Sequence, residues 1–180
     1  MAEREALTAA YVRSILHYDP KTGIFTWRKR PLEHFKTQRA CNTWNSRFAG
    51  TVAGSPNGLG YLNISISKLH YKAHRIAWLL MTGRWPKDEI DHRDTDPSNN
   101  RWHNLREATS SQNKTNTRTP RNNTSGFKGV YWNKIVRKWW VYINKDCRRH
   151  SLGYFDDINE AVSVVTRERM KKHGEYARVE

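Results

Sequence analysis

The spacing of apolar and polar positions predicts a helix followed by a hairpin near the start of the chain. Thr8 is suited to cap the helix, and a turn rich in Asp, Pro and Gly leads into a short strand at 24–27. The next stretch, 28–50, is basic and lacks a regular period, so we predict an irregular segment anchored by Trp44 and Phe48. The apolar face of the predicted helix consists of Tyr11, Val12, Ile15 and Leu16.

A strand, a buried helix and a polar stretch follow. Residues 61–67 alternate between apolar and polar side chains, which predicts a strand with one solvated face. Residues 73–82 are mostly apolar and are followed by Gly83, the residue type that commonly ends a helix. The stretch 90–116 is rich in Asp, Asn and His and poor in apolar residues, a composition that indicates either disorder or a functional site.

The pattern in the last third of the chain predicts three strands, at 127–132, 138–144 and 148–154. One amphipathic helix is predicted to follow, and it begins after Asp157, which can form a capping box with Glu160. Residues 117–125 have the composition of a linker. The chain is therefore predicted to be an α+β protein. Its predicted parts are an N-terminal helix and hairpin segment at 1–60, a central module at 61–117, a linker at 118–125 and a C-terminal domain at 126–180.

Charge points to a polyanionic partner. The 180 residues include 32 Lys and Arg against 17 Asp and Glu, for a net charge of +15. A surface of this kind suits nucleic acid, although a merely soluble basic protein stays open. The longest apolar run is too short to span a membrane, and the first residues lack the apolar core of a signal peptide, so an intracellular protein is expected. Cys41 and Cys147 form no CxxC pair, so we expect free thiols rather than a thiolate zinc site.

A group of residue types suited to phosphodiester hydrolysis lies in the polar stretch. Asp91 and His92 are adjacent at the end of a predicted strand, and Asn113 falls in a short helix that Thr109 and Gln112 can cap. A neutral imidazole can activate water at pH 7. A carboxylate with an amide oxygen can hold Mg²⁺, which then neutralises charge on the phosphate. Taken singly, an Asp-His pair or an Asn-rich stretch is more often structural.

Residues 71–116 resemble the HNH endonucleases, in the branch found in phage and intron-encoded homing enzymes. The resemblance rests on Ala73-His74-Arg75-Ile76-Ala77, Asp91-His92, Asn99-Asn100-Arg101, Asn104-Leu105 and Gln112-Asn113. It implies a ββα-metal module in which Asp91 and Asn113 hold one Mg²⁺ or Mn²⁺ ion and His92 is the general base. It also groups Asn104 with His92 in the catalytic machinery, as the residue that braces the loop between the two strands. His74 is expected to pack at the helix start rather than to touch DNA.

The C-terminal part, from Thr124 to Val179, resembles the AP2/ERF DNA-binding domain. The matching segments are Gly126-Phe127-Lys128-Gly129-Val130-Tyr131-Trp132, Lys138-Trp139, Leu152-Gly153-Tyr154-Phe155, Glu160-Ala161 and Gly174-Glu175-Tyr176-Ala177. The resemblance implies a three-stranded antiparallel sheet that packs on one helix and lies in the DNA major groove. Alternatively, Trp140 or Tyr142 covers the N-terminal segment. The resemblance assigns DNA binding to Lys128, Tyr131, Asn133, Lys138, Trp140, Tyr142, Asn144 and Arg149.

These expectations combine into a site-selective, metal-dependent DNA endonuclease that nicks double-stranded DNA as a monomer. Cutting both strands would need a dimer or two successive events. No membrane and no small-molecule cofactor are expected, and a phage-encoded enzyme would work in the cytoplasm of a bacterial host. The first alternative is a sequence-specific DNA-binding regulator with an inactive HNH module. The second is a structural protein that packages nucleic acid.

Overall fold

Helices and small sheets alternate along the chain, which confirms the predicted α+β class. The computed structural model describes residues 7–117, 119, 123–145 and 148–177. The chain divides into two compact units, Met1–Glu107 and Ala108–Glu180. The domain boundaries predicted from the sequence remain predictions. Residues 118 and 120–122 of the predicted linker lie outside the described residues. Cys147, in the predicted C-terminal domain, also lies outside them.

The described residues of the first unit form three small sheets and three helices. The elements are α1 (Ala9–Ile15), β1 (Leu16–Tyr18), β2 (Phe25–Trp27), α2 (Gln38–Phe48), β3 (Ser55–Pro56), β4 (Leu62–Ile66), β5 (Leu69–Lys72), α3 (Ala73–Thr82), β6 (Glu89–His92) and β7 (Leu105–Ala108). Two 3₁₀ turns lie at Leu32–His34 and Trp102–Asn104. Strands β1 and β2 form an antiparallel hairpin, β3, β4 and β5 form an antiparallel sheet in that order, and β6 pairs with β7.

One apolar core holds these elements together. The Thr8 hydroxyl accepts a hydrogen bond from the Tyr11 N–H at 3.2 Å, so the predicted helix start is confirmed. The helix ends one residue earlier than predicted, because Leu16 already pairs in β1. Helix α3 has its predicted bounds, and Gly83 ends it in the left-handed conformation, with φ of 78°. The buried core side chains include Val12, Ile15, Phe25, Ile64, Ile76, Leu79, Ile90 and Leu105.

The expectation of an irregular segment at 28–50 is wrong, because α2 occupies most of its second half. The helix begins after Thr37, whose hydroxyl accepts the Ala40 N–H at 3.1 Å. Only one face of α2 contacts the rest of the unit. Trp44 packs edge-on against Trp27, with ring centroids 5.5 Å apart. The apolar residues of α2 do lie on one side, but they are few and the helix is polar on average, so its composition suggested an irregular segment.

The β1–β2 hairpin packs against the polar stretch that precedes β7. Gly23 has φ of 77°, and a Cβ there would lie 2.6 Å from the backbone of Asn100 and Arg101. The Tyr18 hydroxyl donates to the Asn100 carbonyl at 2.7 Å, and the Trp102 N–H donates to the Pro20 carbonyl at 2.9 Å. This close backbone approach requires glycine in the turn. The hairpin therefore fixes the position of the polar stretch.

The second unit contains a three-stranded antiparallel sheet and two helices. Its elements are α4 (Ser110–Thr115), β8 (Val130–Asn133), β9 (Lys138–Lys145), β10 (Arg148–Phe155) and α5 (Ile158–His173), with a 3₁₀ turn at Gly174–Tyr176. The strand order is β10-β9-β8. Its core joins Val130, Val141 and Ile143 of the sheet to Ala161 and Val165 of α5.

The three strands and the helix predicted for the last third are all present; each strand ends one residue later than predicted, and one start differs more. Strand β8 begins at Val130 rather than at 127, because Gly126 and Gly129 have positive φ angles of 78° and 82° and the chain turns there. Helix α5 begins as predicted, with the Asp157 carboxylate accepting the Asn159 and Glu160 N–H groups at 2.8 and 2.9 Å. No helix formed by the described residues is long and apolar enough to cross a membrane.

Candidate active site and nucleic-acid interface

Asp91 lies near the end of β6 in a buried ion pair with Arg106. Its Oδ2 accepts hydrogen bonds from Arg106 Nε at 2.8 Å and from an Arg106 terminal nitrogen at 2.7 Å. Asp91 is 4% exposed and Arg106 is 6% exposed. Because the charges are removed from water, each depends on the other for compensation. The pair also joins β6 to β7, the strand that carries Arg106.

His92 is the last residue of β6 and is surrounded by rings and amides. Its ring contacts His74 edge-on, with centroids 5.0 Å apart, and Tyr61 at 6.0 Å. Burial lowers the pKa of His92, against the opposing effects of the Asn100 side chain and of Asp94, which favour the protonated ring. The neutral form of the imidazole is thus favoured. This is the form that can accept a proton.

His74, at the start of α3, is buried against the same group. Burial, together with the neighbouring His92, lowers the pKa of His74 to about 2. Its Nδ1 is buried and makes no hydrogen bond. Tyr61 packs edge-on against His74 at 5.4 Å, and the Lys72 ammonium lies 4.6 Å from the centre of the Tyr61 ring. Two neutral imidazoles and a phenol therefore line one side of the candidate site.

The neighbouring Arg75 fixes the segment that leads into β6. Its guanidinium donates to the Asp88 carbonyl at 2.9 Å and to the Pro86 carbonyl at 3.4 Å. Both carbonyls lie between α3 and β6, so the helix holds the approach to Asp91 by backbone contacts. Within the unit, the His74-Arg75 segment is thus structurally tied to the Asp91-His92 pair.

Asn104 closes the loop between β6 and β7. Its amide nitrogen donates to Asp94 Oδ1 and to the Asn99 carbonyl, both at 2.9 Å, and its side-chain oxygen accepts the Asp94 N–H at 3.1 Å. Asn99 also donates to Asp94 Oδ2 at 2.6 Å. Burial raises the pKa of Asp94, but these hydrogen bonds and one from the Asp96 N–H outweigh it and lower the pKa. Asp94 therefore serves the loop as an ionised acceptor.

Asn113 belongs to the second unit, where it lies half-buried in α4. The helix has the predicted capping box: the Thr109 hydroxyl accepts the Gln112 N–H at 3.3 Å, and the Gln112 side chain accepts the Thr109 N–H at 2.8 Å. Asn113 itself donates its N–H to the Thr109 carbonyl at 2.9 Å. The helix contacts the 3₁₀ turn at Gly174–Tyr176 within the same unit.

The sheet of the second unit has one apolar face and one aromatic, basic face. Val141 and Ile143 point towards α5 and are buried, whereas Trp140 and Tyr142 alternate with them on the other face. Tyr142 stacks with Tyr131 at 5.4 Å and contacts Trp140 at 4.7 Å. Burial and a hydrogen bond with Tyr131 raise the pKa of Tyr142 to about 12. The sequence of the middle strand predicts this alternation, with Trp139, Val141 and Ile143 on the helix side and Lys138, Trp140, Tyr142 and Asn144 facing out, and the buried Val141 and Ile143 confirm it.

Arg149 and two polar residues extend this aromatic face. The Arg149 guanidinium lies 4.2 Å from the centre of the Tyr142 ring and 5.4 Å from that of Trp140. Asn144 is exposed and pairs with Arg149 in the sheet register. Lys138 forms an ion pair with Asp156 at 2.9 Å. The face therefore presents stacked rings flanked by cationic and amide groups.

The two remaining residues assigned to DNA binding have local structural contacts. The Lys128 ammonium contacts the Thr117 carbonyl and donates to the Thr117 hydroxyl at 3.1 Å. Asn133 Oδ1 accepts the N–H groups of Ile135 and Val136 at 2.9 and 3.2 Å, so its side chain shapes the β8–β9 turn. Lys128 precedes β8 and lies outside the sheet register that aligns the other residues.

The oxygen donors of Asp91 and Asn113 are of a type that suits a weakly held hard cation, and the described residues form no closed zinc site. Among the described residues, no group of three or more His, Cys, Asp and Glu side chains could hold a metal. Cys41 is buried as a free thiol. Carboxylate and amide oxygens, of the kind that Asp91 and Asn113 carry, suit Mg²⁺, which keeps most of its water ligands. Each of the two residues therefore carries an oxygen of the type that Mg²⁺ accepts.

Sequence reasoning assigned no role to Arg106, although it is the main partner of Asp91. One signal was present in the sequence: Arg106 lies next to Leu105 and shortly before Ala108, in a strand of the polar stretch. In the structure, Leu105 and Ala108 are both buried. A buried arginine needs an anionic partner, and Asp91 was a nearby carboxylate on a neighbouring predicted strand. The contact of Asn100 with His92 gave no comparable signal.

Comparisons with known proteins identify relatives for the segment that contains Asp91 and His92. Residues 71–115 match the HNH endonuclease family, which indicates a nuclease or other DNA-related function, and HNH nucleases typically use divalent metals. The chain is 36% identical over 115 residues to Protein 3.8 of Escherichia phage T7, across 62% of this chain and 94% of that protein. No solved structure matches. The AP2/ERF resemblance finds no support in these comparisons. The chain therefore belongs to the family of phage T7 Protein 3.8 and carries an HNH endonuclease domain at residues 71–115.

Proposed function

We propose that this protein is a site-selective, divalent-metal-dependent DNA endonuclease that nicks duplex DNA as a monomer. The observation that carries the proposal is the Asp91-His92 pair, buried at the end of β6 within the segment that matches the HNH endonucleases. The net charge of +15 suits a DNA substrate. A phage relative fits action inside a bacterial host.

His92 acts as the general base in this proposal. Its contacts with His74 and Tyr61 restrict the orientation of the ring, and burial keeps the ring neutral. The imidazole then accepts a proton from the attacking water as the new P–O bond forms, and the 3′ or 5′ oxygen of the cleaved bond leaves the phosphate. Asn104 acts through its hydrogen bonds to Asp94, which hold the loop that follows His92.

Asp91 and Asn113 are the proposed ligands of one Mg²⁺ or Mn²⁺ ion, which when bound would neutralise charge on the phosphate and on the leaving oxygen. Arg106 positions the carboxylate: by binding Oδ2 of Asp91, it restricts the carboxylate to one orientation. The single Asp91-His92 pair per chain is the reason to expect nicking rather than a double-strand break.

The second unit supplies site choice through an AP2/ERF-like sheet. The aromatic, basic face is proposed to meet base edges in the major groove, where strands can read sequence. Its stacked rings and the adjacent guanidinium support this role, and they belong to Tyr131, Trp140, Tyr142 and Arg149. Lys128, Asn133, Lys138 and Asn144 complete the proposed DNA-binding set. Phosphate contacts would give affinity, and base contacts would give selectivity.

Nicking of supercoiled plasmid tests the function directly. With Mg²⁺, the purified protein should convert supercoiled plasmid into open circles, and EDTA should stop the conversion without changing the circular-dichroism spectrum. Retention of the spectrum matters because a hard cation held by few protein groups does not support the fold. No open circles with Mg²⁺ or Mn²⁺ at any protein concentration would reject the enzyme.

Two observations favour a second candidate, a DNA-binding regulator with an inactive HNH module. Arg106 already compensates the charge of Asp91, and His92 is only 5% exposed. In that case the protein would bind a preferred DNA sequence with unchanged affinity in Mg²⁺ or EDTA and would leave plasmid intact. The same plasmid assay combined with a gel shift therefore separates the two candidates.

A further inference from the structure

Helix α2 presents an outer face made of residues that hydrogen-bond or carry positive charge. The helix spans Gln38–Phe48. Its exposed side chains include two arginines and no acidic residue. Among the contacts described, one hydrogen bond joins two of these exposed side chains: the Gln38 amide nitrogen donates to Asn42 Oδ1 at 2.7 Å. The outer face, which we call the α2 face, consists of Gln38, Arg39, Asn42, Thr43, Ser46 and Arg47.

The absence of acidic residues extends well beyond this helix. Between Glu33 and Asp88 the sequence contains no Asp or Glu, while it contains eight Lys and Arg. An ordinary solvated surface mixes charges of both signs. A long stretch with one sign attracts a polyanion and repels cationic surfaces. The α2 face is therefore complementary in charge to a nucleic acid backbone.

The inner face holds α2 firmly against the unit. Asn45 accepts the Arg30 N–H at 2.8 Å and donates to the Arg30 carbonyl at 2.9 Å. Trp44 contacts the rings of Trp27, Phe35 and Phe48 at 5.3 to 6.0 Å, and the Arg30 guanidinium lies 5.0 Å from the centre of the Trp44 ring. These contacts fix the helix before any ligand binds, so little conformational entropy is lost on docking.

We propose that α2 enters the major groove of duplex DNA and serves as a second DNA-reading element. The proposal rests on the proposed endonuclease function and extends it to the first unit. A helix with its side chains is about 10–12 Å across, and the B-DNA major groove is about 12 Å wide. Arginine pairs with guanine, and Asn and Gln pair with adenine, through bidentate hydrogen bonds. The α2 face carries all three residue types.

The geometry selects B-form DNA over duplex RNA. The major groove of A-form RNA is deep and too narrow for side chains to read, so a helix that acts through this groove discriminates between the two duplexes. A purely electrostatic surface would not discriminate in this way, because both backbones carry the same charge. Competition by duplex RNA therefore tests groove entry separately from charge.

The β1–β2 hairpin connects this helix with the candidate active site. At one end, Trp27 of β2 packs against Trp44 of α2. At the other end, Gly23 and Tyr18 fix the backbone at Asn100, whose side chain influences His92. A DNA groove that holds α2 would thus be positioned relative to the cleavage site through one short, packed hairpin. This connection lies entirely within the first unit.

The test compares two charge-matched double variants of the full chain. Arg39→Gln with Arg47→Gln removes two cations from the α2 face, and Lys21→Gln with Lys87→Gln removes two exposed cations elsewhere in the unit. Glutamine keeps good helix propensity, and urea unfolding checks that both variants are as stable as the parent. Binding to a fluorescein-labelled 40-base-pair duplex is measured in EDTA over a range of salt, with unlabelled duplex RNA of the same sequence as competitor.

The α2 glutamine variant should reduce the slope of log affinity against log salt by up to about two, because each guanidinium held in the groove helps to neutralise the surrounding phosphates, while the Lys21 and Lys87 variant retains the parent slope. A third variant, Arg39→Lys with Arg47→Lys, should keep the slope and lose the part of the sequence preference that depends on α2. An unchanged sequence preference in this variant would contradict base reading by α2. Duplex RNA should compete poorly with the parent. Equal slopes for the two glutamine variants, or equal competition by RNA, would overturn the proposal while leaving the endonuclease function intact. A parent protein that does not bind DNA would overturn both.

Discussion

The two units place their polar chemistry in opposite environments. In the first unit, Asp91 and Arg106 are buried and bound to each other. In the second unit, Trp140, Tyr142 and Arg149 lie on a partly exposed sheet face. Buried charges must be paired to be tolerated, whereas exposed ones cost little. Substitutions in the buried pair should therefore change stability and catalysis together, and those on the sheet face should change only binding.

The largest expected effect on stability comes from breaking the buried pair. Asp91→Ala should lower the free energy of unfolding by about 3–5 kcal/mol, because the buried charge of Arg106 then loses the carboxylate that forms an ion pair with it. Urea unfolding followed by tryptophan fluorescence measures the loss. The double variant Asp91→Ala with Arg106→Met should recover most of it. A double variant no more stable than Asp91→Ala would show that the pair is not the cause.

The sheet face should respond in selectivity rather than in stability. Trp140→Ala should narrow the difference in binding free energy between a selected target duplex and random DNA by about 1–3 kcal/mol for each base that the face no longer reads. Trp132→Ala is the matched control, because Trp132 is exposed on the opposite side of the strand register and packs against Trp139 at 5.1 Å. An equal loss of selectivity in both variants would argue against this face as the reading surface.

Acid should destabilise the first unit through His74. The folded pKa of His74 is lowered to about 2 from its usual 6.5, so its contribution is present above pH 6.5 and declines as the pH falls towards 2. Between pH 7 and pH 5 the parent should lose about 2 kcal/mol more unfolding free energy than His74→Leu does, at 1.36 kcal/mol per pH unit. Denaturant titrations at the two pH values give this difference. Identical losses would contradict a buried neutral His74.

The smallest expected effect concerns the exposed ion pair of the second unit. Lys138 and Asp156 are 2.9 Å apart on the surface, and exposed pairs contribute only about 0–1 kcal/mol. Asp156→Asn should therefore leave the unfolding free energy within that range of the parent value. Because it frees Lys138 for phosphate, it should also strengthen DNA binding at low salt. A loss of unfolding free energy as large as that expected for Asp91→Ala would contradict the contrast between a buried ion pair in the first unit and an exposed one in the second.

Strong local signals predicted most of the fold. Helix α3 was identified from its apolar run and from Gly83, and α5 from the Asp157 cap. Helix α2 was missed, because its few apolar side chains are spread over one narrow stripe and its other positions are polar. Local pattern detects elements that bury a broad face, and it fails for an element that is held mainly by aromatic contacts from elsewhere.

The candidate site was predicted in composition but not in its contacts. The sequence places Asp91 beside His92, and the resemblance to HNH endonucleases assigns their roles. It does not show that Arg106 binds Asp91 or that His74 and Tyr61 surround His92. These contacts join residues that are distant in sequence, so they depend on how the strands and α3 pack. Tertiary contacts of this kind leave no periodic trace.

The central claim is that His92 is the base of a DNA-cleaving site, and one measurement tests it most directly. Parent and His92→Ala proteins are compared for plasmid nicking in Mg²⁺ and for duplex affinity on the same preparations. The account predicts that His92→Ala nicks at least about 10²-fold more slowly, the lower range for loss of a general base, with affinity close to that of the parent. Equal nicking rates for the two proteins would contradict the account.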